Sequence, residues 1–308
     1  MSGFLGIDTS NYTTSMAYVK EGVVVKNLRR VLDVKEGERG LRQSDAVFSH
    51  IVNIPLIASE MGKVKFSAVG VSSKPRDVEG SYMPCFLSGV AEAEALSKIN
   101  GVPLYRFSHQ AGHIAAALYS CGRQELMEKE FLSFHVSGGT TELLHVKNGK
   151  IEKLGGTLDI SAGKAVDRIG VKLGLKFPCG KELERLSDSC VETDCFKNMK
   201  ICVNGFDCNL SGLENKADEL IKKGAPYETV SAYTMEFIFK TIKKMTENAL
   251  SAYPGLPVIY AGGVMSNRML KNRLGTLFGG FFAEPQYSCD NAAGIALLCM
   301  YEWEKDNG

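Results

Sequence analysis

An internal repeat narrows the possible folds more than any other feature of this chain. Residues 4–19 (FLGIDTSNYTTSMAYV) lie over residues 131–146 (FLSFHVSGGTTELLHV) at an offset of 127 without a gap. Phe4/Phe131, Leu5/Leu132, Ser10/Ser137, Thr13/Thr140, Thr14/Thr141 and Val19/Val146 are identical pairs. Each copy reads as an apolar strand, a small polar turn and a second strand. At the same offset each is followed by another turn, Glu21-Gly22 and Asn148-Gly149, and by a third strand-like run. Asn-Gly between apolar runs is a strong hairpin signal. A chain of 308 residues has room for two domains of about 150 residues each, so the repeat points to a duplicated lobe. Turns rich in Ser, Thr and Gly offer backbone N–H groups and hydroxyls to phosphate oxygens, and two of them suggest a nucleotide held between two lobes. Two unrelated hairpins of similar sequence are the competing reading.

Around the two copies, helical and strand-like patterns alternate, which predicts an α/β architecture. Residues 44–61 have helical spacing, with Val47, Ile51, Ile54, Leu56 and Ile57 on a broad apolar face. Residues 67–71, 103–107 and 258–260 read as short strands. An Ala-rich helix over 86–99 closes at Asn100-Gly101, a long amphipathic helix covers 228–251, and a last helix covers 291–303. The polar stretch 187–227 has the weakest pattern and is expected to be an insertion.

Composition excludes several classes. A 44% hydrophobic and 23% charged chain is an ordinary globular sequence rather than a disordered one. It contains no apolar run near the roughly 20 residues needed to span a membrane. The start, MSGFLGID, lacks the basic and apolar regions of a signal peptide. A net charge of +1 gives no global field for nucleic acid or membrane, leaving only a local basic face. Nine cysteines without CxxC pairs predict free thiols in a reducing cytoplasm. Cys190, Cys195, Cys202 and Cys208 lack the two tight pairs of a zinc ribbon.

Four groups of residues could carry chemistry. His109 and His113, in HQAGH, follow a strand and open a helical run; at i and i+4 they share one face and could share one metal ion, or else cap and pack. Gln110 stands where the zinc-protease HExxH signature has its general base, and an amide cannot do that work. Asp290, in SCDN, is either an N-cap for the last helix or the carboxylate of a two-histidine, one-carboxylate site with open positions. Gly262-Gly263 ends a strand where a backbone can approach a flat ligand, and Asn267 then begins a helix. Asp159 and the segment GKAVDR, with Asp167 on a helical run, followed by PCG at 178–180, offer a carboxylate to a ribose or simply to water.

VSGGTT, HxxxH, AGKAVDR, FPCGKELE, NLSGLEN, AGGVMSNR and SCDNAAGIA occur in one order. That order resembles the TsaD family, also called Gcp or the O-sialoglycoprotein endopeptidase family, over nearly the whole chain. The resemblance implies the actin/Hsp70/sugar-kinase fold, with two ribonuclease-H-like lobes around a nucleotide cleft. We expect a first lobe over 1–107, a second over 108–290 containing the 187–227 insertion, and a helix at 291–308 packing back on the first. It also implies transfer of a threonylcarbamoyl group from threonylcarbamoyl-adenylate to N6 of adenosine 37 in tRNA, releasing AMP. The implied metal ligands are His109, His113 and Asp290, holding one divalent ion, Fe2+ first and Zn2+ second. The implied nucleotide contacts are Val136, Ser137, Gly138, Gly139, Thr140, Asp167, Gly180, Glu184 and Asn267. TsaB-like and TsaE-like proteins are the implied partners, with a TsaC-type enzyme making the adenylate, and no membrane is involved.

Three segments depart from the family pattern. Thr140 replaces the usual His or Asn of the second loop. Asn11, Tyr12 and Thr13 replace acidic residues of the first. SSKPRDVEGSYMPCF (72–86) replaces a Pro/Gly-rich segment. No catalytic residue follows from the motifs, and the alternative is a non-catalytic metal- and nucleotide-binding paralog that acts as a scaffold or on another acceptor.

Overall fold

The computed structural model describes residues 3–10, 12–33, 41–191 and 196–308; Asn11 and Cys195 lie outside them. The chain divides into two units, residues 1–127 with 286–308, and residues 128–285. The division therefore falls after residue 127 rather than after 107. The helix α3 (His109–Ser120) belongs to the first unit because it packs along the last helix, α9 (Ala293–Asn307), which itself lies on that unit's sheet.

The first unit has strands β1 (Gly3–Ser10), β2 (Thr13–Lys20), β3 (Val23–Val31), β4 (Ala68–Lys74) and β5 (Leu104–Ser108), in the order β3-β2-β1-β4-β5. The pairs among β1 to β3 are antiparallel, and β4 and β5 add in parallel. Both faces are covered, so β1 is buried along its whole length. Its residues alternate sides. Leu5 and Ile7 meet α1 (Gln43–Met61) and α2 (Phe86–Asn100), while Phe4 meets α9. At Gly6 a Cβ would lie 2.5 Å from the backbone N of Ala296, so only glycine lets α9 sit this close.

The second unit repeats the topology. Strands β6 (Glu130–Val136), β7 (Thr141–Lys147), β8 (Lys150–Gly156), β11 (Val258–Ala261) and β12 (Phe281–Phe282) run in the order β8-β7-β6-β11-β12. Here too the first three strands are antiparallel and the last two add in parallel. The repeat holds to the residue: Phe4 pairs with Val19, and Phe131 with Val146. Both second turns, Glu21-Gly22 and Asn148-Gly149, have positive φ at both positions, as a tight hairpin turn requires. The aligned threonines Thr14 and Thr141 each tie down a helix. Thr14 Oγ1 lies 2.8 Å from His50 Nδ1 in α1, and Thr141 Oγ1 accepts from the N–H of Ala162, which opens α4 (Ala162–Lys172).

Among the described residues of 187–227 lie β9 (Cys202–Asn204), β10 (Asp207–Asn209) and α6 (Ser211–Lys222). Cys208, Leu210, Leu213, Ala217 and Leu220 enter the second unit's core with α7 (Tyr227–Ala252). The backbone N–H groups of Leu210 and Ser211 end on Asp159 at 2.8 and 3.0 Å. Asp159 is thus a structural clasp, and these N–H donors hold its carboxyl well below its ordinary range despite burial. In α1 the buried stripe is Ala46, His50, Ile54, Ile57 and Met61, whereas Ile51 and Leu56 are exposed. The apolar set was wider than the packed face, and the stripe contains a histidine.

Candidate metal centre and phosphate loop

Helix α3 starts directly after β5. Ser108 caps it, accepting from the N–H of Ala111 at 3.1 Å while donating to Asp77 Oδ2 at 2.7 Å. His109 and His113 follow one turn apart on the same face, with ring centroids 4.3 Å apart. The crossing of α3 and α9 is set by two glycines, because a Cβ on Gly294 would lie 1.8 Å from the carbonyl oxygen of Gly112. This backbone contact brings the segment before α9 against the first turn of α3.

Asp290 stands in that segment and does not cap α9. The capping position is Ala292, and the N–H of Ala293 is taken by Asn291 Oδ1 at 3.0 Å. The Asp290 carboxylate is therefore available to the rings: Oδ1 lies 3.3 Å from His113 Nε2 and 3.6 Å from His109 Nε2. One donor atom from each residue falls within 4.8 Å of the others, the only such group found among the described residues. Metal–ligand bonds of about 2.0–2.2 Å at tetrahedral angles place donors about 3.4 Å apart, so this donor set fits a divalent ion. Thr13 Oγ1 points at the other oxygen of Asp290 from 3.5 Å.

Behind the rings lies Asp8, fully buried at the end of β1. Its Oδ2 is 3.0 Å from His109 Nδ1 and accepts from Ser10 Oγ at 3.0 Å; its Oδ1 accepts from Ser72 Oγ. Burial alone would lower the pKa of His109, but Asp8 and Asp290 outweigh it and raise it to about 10. Burial would raise Asp290, and the two imidazoles hold it well below the carboxylate range. His50 differs: burial dominates over the attraction of Asp8, and its pKa falls to about 4, so it stays neutral.

In the second unit the turn from β6 to β7 folds on itself. Ser137 N–H donates to the carbonyl of Thr140 at 2.8 Å, and the N–H groups of Gly139 and Thr140 approach Ser137 Oγ at 3.3 and 3.2 Å. The start of α4 presses on this turn: Ser161 Oγ donates to the Gly138 carbonyl at 2.7 Å, and a Cβ on Gly163 would meet Gly138 Cα at 2.6 Å. Space is open beside Gly138. Gly262, at φ +98°, follows β11 where a Cβ would lie 2.3 Å from the Val136 carbonyl, so the glycine is needed for close approach. The Val136 side chain belongs to the core, leaving only its backbone for a ligand. Asn267 caps α8 (Arg268–Phe278), accepting from the N–H of Leu270 at 3.0 Å. Asp167 accepts from the N–H of Cys179 at 2.8 Å, and burial raises its carboxyl above the ordinary range. Gly180 opens α5 (Gly180–Asp188), on which Glu184 accepts from the N–H of Arg268 at 2.8 Å.

Sequence reasoning brought His109, His113 and Asp290 together but missed Asp8, Ser72 and His50. The readable signal for Asp8 was a carboxylate ending the first strand of the repeat, in GIDTS. Nothing local marks Ser72, which reaches Asp8 only through the parallel pairing of β1 and β4.

A family model described as TsaD, tRNA N6-adenosine threonylcarbamoyltransferase, matches residues 45–297. A Thermus thermophilus protein named tRNA N6-adenosine threonylcarbamoyltransferase is 31% identical over 309 residues, covering 95% of this chain and 90% of the relative. The fold is similar to (R)-2-hydroxyglutaryl-CoA dehydratase component A of Acidaminococcus fermentans, at TM-score 0.55 and 14% identity over 98% of this chain and 99% of that one. It is also similar to a ROK family glucokinase of Streptomyces griseus, at TM-score 0.53 and 12% identity over 97% of this chain and all of that one (100%). The two-lobed α/β fold of the actin/Hsp70/sugar-kinase class follows from these likenesses and the duplicated sheet. With the family model spanning most of its length, this chain belongs to the TsaD family of tRNA N6-adenosine threonylcarbamoyltransferases and is a transferase.

Proposed function

We propose that this chain transfers the threonylcarbamoyl group of threonylcarbamoyl-adenylate to N6 of adenosine 37 in tRNA, releasing AMP, with one divalent ion at His109, His113 and Asp290. The observation that carries this reading is the convergence of those three donors in a TsaD family member. An ion there, Fe2+ first and Zn2+ second, would act as a Lewis acid toward anionic oxygens of the substrate.

The chain's own groups bind and orient. The Gly138 backbone, beside open space in a turn whose other N–H groups bond internally, would approach the adenylate oxygens, and Asp167, Glu184 and Asn267 would address ribose and base. The substrate is a mixed anhydride and is already activated. The adenosine N6 lone pair attacks the carbamoyl carbon, the bond from that carbon to the phosphate oxygen breaks, and AMP leaves with the electron pair. N6 gives up one proton in the process. Holding amine and carbonyl in line can lower the barrier by several kcal/mol. TsaB-like and TsaE-like proteins are the proposed partners and the cytoplasm the proposed site. In the structure, no helix among the described residues is long and apolar enough to cross a membrane.

The direct test incubates the chain with threonylcarbamoyl-adenylate, TsaB-like and TsaE-like proteins and unmodified tRNA. Modified adenosine well above the no-enzyme blank is expected. Binding of adenylate and metal with no product would instead identify a non-catalytic scaffold.

The ionisation of His109 adds an expectation about pH. In the metal-free protein its proton is retained up to about pH 10, and an ion must displace that proton to reach the ring. Metal affinity should therefore climb with pH, about tenfold per unit until that value is approached. Calorimetric titration in two buffers of different ionisation enthalpy should show about one proton released from this ring near neutrality. An affinity unchanged between about pH 6 and pH 8 would contradict the assignment.

A further inference from the structure

We infer that Asp8 is the positioning residue of the centre, fixing the His109 ring so that Nε2 is aimed toward His113 and Asp290. The inference rests on the metal reading above and concerns a residue that acts through His109. Both Asp8 oxygens accept from serine hydroxyls and Oδ2 faces Nδ1 at 3.0 Å, a geometry in which the ring donates from Nδ1. In the neutral ring this leaves the lone pair on Nε2, the atom 3.6 Å from Asp290 Oδ1. A carboxylate behind a ligand histidine is a recurrent device for setting tautomer and ring plane.

The Asp8 carboxylate is itself immobilised. Ser10 Oγ donates to Oδ2 and Ser72 Oγ to Oδ1, while Ser15 Oγ donates to the Asp8 carbonyl at 3.2 Å. Ser15 lies on β2 and Ser72 on β4, the two neighbours of β1. Strands β1 and β4 therefore hold the oxygen pair, while β2 fixes the backbone behind it. On another side of His109, the Phe86 ring makes an edge contact at 6.2 Å between centroids. The ring is thus located by the sheet as well as by its own helix, a precision that helix α3 alone would not supply.

The test measures Zn2+ affinity of the full chain by competition with a chromophoric chelator, together with the visible spectrum of the Co2+ form. Wild type, Asp8→Asn, Asp8→Ala and Ser72→Ala are compared, each with its metal-free melting temperature. Loss of an outer-shell partner typically weakens metal binding about 10–100-fold, and Asp8→Ala is expected in that range. Asp8→Asn should fall between it and wild type, because an amide oxygen still accepts from Nδ1, and both should alter the Co2+ spectrum. Ser72→Ala should weaken binding least. A purely structural role would lower the metal-free melting temperature and leave the affinity and Co2+ spectrum of the folded protein unchanged. Should Asp8→Ala fail to fold, the isosteric Asp8→Asn decides by itself. Wild-type affinity and spectrum in folded Asp8→Asn overturn the inference while leaving the metal reading intact. Failure of wild type to bind Zn2+ overturns the metal reading and this inference with it.

Discussion

Replacing His113 with alanine is expected to strip the purified protein of its divalent ion and to lower tRNA modification more than 100-fold. Loss of an outer-shell partner alone costs about 10–100-fold in metal affinity, and His113 is placed to be a direct ligand, with Nε2 3.3 Å from the carboxylate oxygen it would share an ion with. Alanine is the best helix former, so α3 should persist and the loss should fall on the ion rather than the fold. Elemental analysis of the variant and quantification of modified adenosine measure the two effects. Wild-type metal content with wild-type turnover would show that the ring is only a packed histidine.

Gly294→Ala carries the second large effect. Its methyl group would sit 1.8 Å from the Gly112 carbonyl oxygen, a backbone atom that cannot turn aside. The helices must separate, and overpacking of this kind costs about 1–3 kcal/mol, occasionally more. For a unit of this size that corresponds to a fall of roughly 2–12 °C in melting temperature. Asp290 precedes α9 and both histidines begin α3, so the same displacement should weaken metal binding. Gly275→Ala in α8 is the internal comparison. There the nearest atom to a new Cβ is Phe282 Cε2 at 3.6 Å, an ordinary contact, and replacing a mid-helix glycine should stabilise by about 0.5–1 kcal/mol. Equal melting temperatures for the two variants would show that the glycine crossing does not set the distance between the helices.

Much of this was legible in the chain because the repeat is written in local patterns. Strand alternation, the paired turn residues and the small-residue loops each act over a few positions, so the two hairpins and their registers followed from aligned residues. His109 and His113 were legible together because helical spacing alone puts them on one face. Asp290 was ambiguous, since Asp before a helix is usually a cap; only the geometry shows that Ala292 is the capping position and that Asn291, not Asp290, takes the Ala293 N–H. Asp8 and Ser72 stayed hidden because their meeting depends on which strands pair, and residues 64 apart leave no local trace of that. The boundary after residue 127 was missed for a related reason. The pull of α9 on α3 comes from a glycine-to-glycine crossing between segments far apart in the chain. The order within the stretch 187–227 was hard to read because a polar surface masks the few apolar residues, such as Leu213 and Leu220, that join the core.

Crystals grown with the bound metal and measured on either side of its absorption edge test the centre most directly. A single anomalous peak is predicted about 2.0–2.2 Å from His109 Nε2, His113 Nε2 and an oxygen of Asp290, with Asp8 still on His109 Nδ1. A metal-loaded crystal with no peak among those three groups, or with its ion held elsewhere, would contradict the account.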